Sequence, residues 1–223
     1  MKRWLWIIIG GLLLIGLVAN AAESVKTTVE LDARNVSSEE TALGNFIADA
    51  VSEASGADIA VIHAMAFRAN ALIAKNAVVD EQAVRNILAS PTSKITKLKL
   101  TPAVLRAMME RSLAKQPESN TAFLQFSGMT VTYDPKRPAN SRVTEIRVGN
   151  KVVDLSDNKT TFTVAMPREL SNGAVGYLLI FPDEVIKGME TTDATLLEAV
   201  SKKLAQQKGT ISPKVEERLV KVK

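Results

Sequence analysis

Hydrophobic residues recur at helical spacing in several stretches of this chain. In residues 42–54 the apolar positions repeat with the period of an α-helix, and Gly56 follows as a stop signal, so we predict a helix that ends there. The same spacing predicts a short helix at 80–88 and two further helices at 102–113 and 194–204. Each has one apolar face, which is typical of helices that pack against a core.

Three of these helices have a predicted N-terminal cap. Ser37 and Glu40 match the capping-box pattern in front of the first helix. Thr101 is followed by Pro102 at the first helical position, which is a strong start signal. Asp193 is the cap that we predict for the last helix.

The remaining periodic segments have the pattern of β-strands. They are bounded by Gly, Pro, Asn and Asp and are predicted at 25–31, 58–62, 93–100, 123–126, 129–133, 143–148 and 161–165. Helices alternate with strands in the first half, strands follow one another in the middle, and a helix comes last. This order favours an α+β fold, a single domain in which helices pack on a mixed sheet.

The N-terminus has the features of a bacterial export signal. Lys2 and Arg3 precede an apolar stretch at 4–19, and small residues at Ala19 and Ala21 predict cleavage before Ala22. We therefore predict a signal peptide at 1–21, a folded domain at 22–223 and a periplasmic or secreted location. The alternative is an uncleaved membrane anchor, because the apolar stretch is nearly long enough to span a bilayer.

Composition and charge exclude several kinds of partner and site. Hydrophobic residues make up 46% of the chain and charged residues 23%, which is enough for a full core. Removal of residues 1–21 takes away Lys2 and Arg3 and lowers the net charge from +4 to +2, so no nucleic-acid partner is predicted. The chain has no cysteine and therefore no disulfide framework.

The inventory of reactive side chains argues against catalysis by this chain alone. A dinuclear metal site usually needs several imidazoles, but the chain has a single histidine, His63, and no cysteine. Nucleophile-elbow, Walker A and dinucleotide-binding glycine motifs are absent from the sequence. His63 follows the strand at 58–62, where it is either a catalytic base or a strand-end histidine with satisfied hydrogen bonds. No catalytic residue, metal ligand or cofactor is predicted.

Four motifs occur in the order found in one known family. Residues 40–50 read Glu-Thr-Ala-Leu-Gly-Asn-Phe-Ile-Ala-Asp-Ala, and the strand at 57–60 follows. Residues 123–128 read Phe-Leu-Gln-Phe-Ser-Gly before Tyr133-Asp134, and residues 173–177 read Gly-Ala-Val-Gly-Tyr. Together they resemble the C-terminal, substrate-binding domain of 5'-nucleotidases and UDP-sugar hydrolases, over about residues 29–219.

The resemblance implies a role in substrate binding. In the full enzymes a separate metallophosphatase domain cuts the phosphate ester, and the C-terminal domain holds the nucleoside with arginines, two stacking phenylalanines, an Asp and an Asn. By this resemblance Arg68 and Arg34 correspond to substrate-binding arginines, and Gly173 and Gly176 belong to the glycine-rich binding turn.

Other binding positions of the family have changed in this chain. The resemblance places the first stacking phenylalanine within 90–93, which has no Phe, and the second at Glu169. The binding Asp of the glycine-rich turn corresponds to Val175. Stacking of a base in the family's manner therefore lacks its aromatic rings.

These observations leave three functional hypotheses. The first is a non-catalytic binding or interaction module with a degenerate nucleotide site, which takes a nucleotide or another small anion. The second is the substrate-binding subunit of a split 5'-nucleotidase, active in nucleotide catabolism with a separate metallophosphatase chain. The third is a membrane-anchored scaffold, which requires the N-terminal segment to remain attached.

Overall fold

A computed structural model of the protein describes residues 24–222, so the predicted signal peptide lies outside the described residues. The α-helices in this part of the chain are α1 (Ala42–Ser55), α2 (Glu81–Ile87), α3 (Pro102–Leu113), α4 (Arg168–Ser171), α5 (Asp183–Lys187) and α6 (Leu196–Ala205). Two 3-10 turns occur at Ala64–Ala66 and Ala174–Leu179. Among residues 24–222, none of the helices combines the length and the apolar character needed to cross a bilayer.

The β-strands form two larger sheets and two short pairs. Their bounds are β1 (Lys26–Thr27), β2 (Leu31–Asp32), β3 (Ile59–His63), β4 (Leu72–Ile73), β5 (Lys94–Leu100), β6 (Leu124–Ser127), β7 (Met129–Tyr133), β8 (Val143–Val148), β9 (Lys151–Val152), β10 (Phe162–Pro167), β11 (Glu190–Thr195), β12 (Thr210–Ile211) and β13 (Leu219–Lys221). One sheet has the order β11-β5-β10-β3-β6, and the other has the order β13-β7-β8-β9. In the first sheet β3 and β10 are parallel while the other neighbours are antiparallel, which confirms the predicted α+β fold with a mixed sheet.

The core lies between the five-stranded sheet and the helices that cover it. Helix α1 packs on β3 and β6, and α6 packs against α1. All five residues of β3 are buried, because this strand lies between β10 and β6 in the sheet and helix α1 packs on it. Strand β3 and helix α1 therefore provide the rigid support for the loops at the ends of the sheet.

Two of the three predicted helix caps are wrong in position. Helix α1 begins after Thr41, whose side chain accepts a hydrogen bond from the amide of Gly44, so Ser37 and Glu40 do not form the capping box. Helix α6 has its capping box between Thr195 and Glu198, and Asp193 lies in β11. The cap at Thr101, with Pro102 after it, is confirmed.

The cap at Ser37 fails because contacts distant in sequence fix the preceding segment. The side-chain amide of Gln125, in β6, donates to the carbonyl oxygens of Val36 and Glu39 at 3.0 and 2.7 Å. Its oxygen accepts from the amide of Thr41 at 3.0 Å. These bonds hold residues 36–41 in an irregular path along the strand, so the helix begins only after them.

Four loops meet at one end of the five-stranded sheet. Because β3 and β10 are parallel neighbours, the segments that follow them, beginning at Ala64 and Arg168, leave the sheet at the same end. Strands β5 and β6 run antiparallel to this pair, so the loops that precede them, at 90–93 and 119–123, lie at the same end of the sheet. Ligands of open sheets bind preferentially beyond the carboxyl ends of parallel strands, which makes this end of the sheet the place to look for a site.

Candidate functional site

The two predicted binding arginines line one cleft at this end of the sheet. Arg34, in the loop after β2, and Arg68, after the 3-10 turn that follows β3, both border a cavity of about 230 Å³. Ser37, Asn70 and Thr121 contribute hydrogen-bonding groups to the same lining. We call this cavity the arginine cleft. Its side chains come from separate segments of the chain.

Arg68 is held by its backbone, while its side chain reaches solvent. The amide of Arg68 donates to the carbonyl of Ile87 at 2.7 Å, and the preceding residue, Phe67, is buried in the core. The side chain of Arg68 is exposed, and none of the ion pairs formed within residues 24–222 involves it. A guanidinium without a carboxylate partner can donate two parallel hydrogen bonds to a phosphate or carboxylate group.

Arg34 already has an acidic partner. Its Nε donates to the carboxylate of Asp32 at 2.7 Å, and its backbone amide donates to the same group at 2.8 Å. These hydrogen bonds hold the pKa of Asp32 below its usual value. Arg34 therefore enters the cleft as half of an exposed ion pair, and Arg68 supplies the uncompensated positive charge.

A second cavity, of about 490 Å³, lies between residues 89–94 and residues 168–172. We call it the polar cleft. These segments contain the positions that the family resemblance assigned to the two stacking phenylalanines, and the structure brings them together. The hydroxyl of Ser93 donates to the carboxylate of Glu169. Within the described residues, no aromatic side chain lines this cleft.

His63 is a buried residue near Glu169. Its side chain is only 4% exposed, and burial lowers its pKa to about 4, although the negative charge of Glu169 acts in the opposite direction. Its Nδ1 has no hydrogen-bond partner within residues 24–222. Of the two sequence hypotheses, the geometry favours a core histidine over a catalytic base, because the ring is shielded from solvent. Its hydrogen bonds are not fully satisfied, however.

Gly173 and Gly176 lie in the turn after α4 and border neither cleft. A Cβ atom on Gly173 would fall 2.4 Å from Cβ of Leu178, and one on Gly176 would fall 2.5 Å from Nη2 of Arg111. Both have positive φ angles, 92° and 86°, and both therefore need glycine in this packed turn. Their part in substrate binding stays a prediction.

The position that the resemblance assigned to the family's binding Asp has an unusual backbone conformation. Val175 has a φ of 49°, which is rare for a β-branched residue. Its carbonyl oxygen accepts two hydrogen bonds from Arg111, at 3.1 Å from Nε and 2.6 Å from Nη2. Arg111 thus stabilises the turn although the side chain at its centre is now apolar.

The motif at 40–50 holds the C-terminal tail. One carboxylate oxygen of Glu40 accepts from Asn45 at 2.6 Å and from the amide of Glu216 at 2.7 Å, and the other accepts from the amide of Leu219 at 3.1 Å. Asp49 forms an ion pair with Arg218 at 2.8 Å. These motif residues therefore shape the fold, and their role in the tail could not be read from local patterns.

Some residues of the clefts were not singled out from the sequence. Arg168 and Asn172 line the polar cleft, and Thr121 lines the arginine cleft. Each is an ordinary surface residue in its local context, and only the strand order brings it to a cavity. A single sequence contains no signal that would have identified them.

The comparison with protein families identifies this domain. The family described as "5'-nucleotidase, C-terminal domain" matches residues 17–181. A 5'-nucleotidase-related protein of Glossina morsitans morsitans is 31% identical over an alignment of 175 residues, and the match covers 70% of this chain and 31% of that protein. An apyrase of Aedes albopictus is 30% identical over an alignment of 162 residues, and the match covers 68% of this chain and 28% of that protein. The chain therefore spans less than a third of the length of these relatives.

A solved structure extends the likeness to the whole fold. The 5'-nucleotidase precursor from Thermus thermophilus has a TM-score of 0.76 and 22% identity, and the match covers 91% of this chain and 40% of that one. The covered share includes segments beyond residue 181, where the family match ends. The mixed sheet, the motif order and these matches agree: this chain belongs to the 5'-nucleotidase C-terminal domain family.

Proposed function

We propose that this domain is a binding module for a small anionic ligand, and that Arg68, assisted by Arg34, recognises the anion. The observation that carries the proposal is the convergence of the two arginines on one cleft, with no acidic partner for Arg68 within the described residues. Two arginines and neighbouring Ser, Thr and Asn groups suit a phosphate or carboxylate. Two of the curated relatives are named as a 5'-nucleotidase-related protein and an apyrase, which makes a phosphate ester the favoured class.

The domain is proposed to bind its ligand without hydrolysing it. In support, the single histidine is buried with a lowered pKa, and the sequence has no cysteine to serve as nucleophile or metal ligand. Hydrolysis of a phosphate ester would then require residues outside this domain. The nucleotide site is degenerate in this proposal, because the polar cleft, as formed by the described residues, offers no ring for a base to stack on.

Isothermal titration of residues 22–223 with inorganic phosphate, adenosine and AMP tests the anion site. Phosphate and AMP are expected to bind, and adenosine is not, because only the first two carry the charge that Arg68 recognises. Arg68→Ala should weaken phosphate binding at least tenfold, since a charge-assisted pair contributes about 1.5–3 kcal/mol. Arg106→Ala is the matched control, because Arg106 is exposed on α3 and borders neither cleft.

Three results would reject the anion site. One is the absence of heat with phosphate and AMP at millimolar concentration. Another is an equal loss of phosphate affinity in Arg68→Ala and Arg106→Ala, which would point to nonspecific attraction by surface charge. The third is binding of adenosine as tight as that of AMP, which would place recognition on the nucleoside and not on the anion.

The split-nucleotidase hypothesis has one observation of its own. In the turn after α4, Leu178 is 62% exposed and Leu179 is 92% exposed. Adjacent exposed leucines are typical of surfaces that another protein covers. The alternative function is therefore a substrate-binding subunit that binds a separate metallophosphatase chain through this turn. AMP hydrolysis that appears only on mixing the two chains, and is lost in Leu179→Asp, supports it; equal hydrolysis by the metallophosphatase chain alone refutes it.

We also infer that the protein is exported. The charged start, the apolar stretch at 4–19 and the small residues before Ala22 support cleavage by signal peptidase. N-terminal sequencing of the protein from an exported fraction should start at Ala22. A sequence that starts at Met1 in a membrane fraction would instead support the anchored scaffold.

A further inference from the structure

The arginine cleft and the polar cleft are bordered by two chain segments that pair with each other. Residues 66–68 pair with residues 87–89 through hydrogen bonds from the amide of Ala89 to the carbonyl of Ala66, at 2.8 Å, and from the amide of Arg68 to the carbonyl of Ile87, at 2.7 Å. Arg68 borders the first cleft, and Ala89 borders the second. The Cα atoms of Arg68 and Ala89 are therefore no more than about 12 Å apart, because only two residues of extended chain and one step between paired segments separate them.

The polar cleft is lined mainly by hydrogen-bonding groups. Ser90 and Thr92 contribute hydroxyls from one side, and Arg168 and Asn172 contribute a guanidinium and an amide from the other. Within residues 24–222, none of these four side chains donates or accepts a hydrogen bond to another protein group. They are available to a ligand.

Glu169 supplies the only carboxylate in the polar cleft, among the described residues. One of its oxygens accepts from Ser93, which fixes the side chain against the opposite wall. The second oxygen has no donor within residues 24–222, so it can accept from a ligand. Lys94 contributes less, because its Nζ donates to the carbonyl of Asp193.

This lining selects the chemistry of the bound group. An aromatic base needs a flat apolar face on each side, and here it would meet a carboxylate and hydroxyls that it leaves without partners. A sugar or polyol hydroxyl is both donor and acceptor, so it can donate to Glu169 and accept from Arg168 or Asn172. Charge-assisted bonds of this kind are the strong ones.

We propose that the ligand of this domain is a phosphorylated sugar or polyol, whose phosphate lies at Arg68 and whose hydroxyls lie in the polar cleft at Glu169. The inference rests on the anion site proposed above and adds the class of the attached group. Glu169 and Thr92 are then specificity-determining residues, because they face the hydroxylated part from opposite walls. The domain would thus have exchanged recognition of a base for recognition of a sugar.

Titration of residues 22–223 with inorganic phosphate, ribose 5-phosphate and AMP tests this inference. Ribose 5-phosphate should bind at least about tenfold more tightly than phosphate, because its hydroxyls add hydrogen bonds to Glu169. AMP should bind no more tightly than ribose 5-phosphate. Glu169→Gln should weaken ribose 5-phosphate about tenfold and leave phosphate unchanged. Glu184→Gln is the control, since Glu184 is an exposed acid that borders neither cleft.

Thr92→Val provides a second variant on the other wall, with nearly the same shape and no hydroxyl. It should also weaken ribose 5-phosphate and not phosphate. Equal affinities for phosphate and ribose 5-phosphate, or AMP that binds more tightly than ribose 5-phosphate, overturn the sugar subsite while the anion site stands. Failure of phosphate itself to bind overturns the anion site and, with it, this inference.

Discussion

Alanine in place of Gly44 is expected to destabilise this domain by about 2 kcal/mol, because the added methyl group takes the space of the Gln125 side chain. A Cβ on Gly44 would lie 2.0 Å from Oε1, 2.3 Å from Cδ and 2.4 Å from Cγ of Gln125. Gln125 is 1% exposed and cannot move aside without breaking its hydrogen bonds. The absence of a side chain at Gly44 thus allows helix α1 to pack closely against Gln125 of β6.

The magnitude follows from the bonds that Gln125 would lose. It bonds the amide of Thr41 and the carbonyl oxygens of Val36 and Glu39, at 3.0, 3.0 and 2.7 Å. At a net value of about 1 kcal/mol each, their loss costs about 3 kcal/mol, and the higher helix propensity of alanine returns up to about 1 kcal/mol. Gln125→Ala alone should cost about 3 kcal/mol or more, because it removes the same bonds and leaves a cavity.

A double-mutant cycle separates this explanation from a general cost of substitution. In the Gln125→Ala background the Gly44→Ala methyl has space, so the second change should be neutral or slightly stabilising and the coupling energy should be about 2–3 kcal/mol. Urea unfolding of residues 22–223, followed by circular dichroism, gives the four free energies. Gly188→Ala is the control, since φ there is −85° and the nearest atom to a Cβ is 3.5 Å away. Additive costs in the double variant would refute the reasoning.

Three further predictions test the turn, the buried histidine and the tail. Gly173→Ala should cost about 2 kcal/mol in urea unfolding, because its φ is 92° and Leu178 blocks a Cβ, and it should leave phosphate affinity unchanged; weaker binding at unchanged stability would contradict the packing role. Burial lowers the pKa of His63 to about 4, so the folded state resists protonation of this ring and the free energy of unfolding should fall by about 3 kcal/mol as the pH drops from 6.5 to below about 4. Above pH 6.5 the ring is neutral in both states and this loss is absent. Parallel pH profiles of unfolding in the native protein and His63→Gln would disprove it. Glu40→Ala should speed amide exchange in the C-terminal tail, while Glu39→Ala should not; equal exchange in the two variants would argue against the Glu40 contacts with the tail.

The sequence by itself determined most of the regular elements and the family. Helix α1 up to Gly56, helix α3 after Thr101-Pro102 and strand β7 were predicted close to their observed bounds, because their signals are periodicity and capping within a few residues. The cap at Ser37 was wrong because its competitor, Gln125, lies 86 residues from Glu39 along the chain. Local patterns contain no information about such a contact.

Which residues line each cleft depends on the tertiary structure. The resemblance predicted Arg34 and Arg68 as binding residues, but their meeting in one cavity depends on the loops that follow β2 and β3 at the same end of the domain. Ser93 and Glu169 are 76 residues apart and meet only because β5 and β10 are antiparallel neighbours. Strand order depends on which hydrophobic faces pack together over the whole chain, so the chemistry of a cleft between loops becomes visible only when that packing is known.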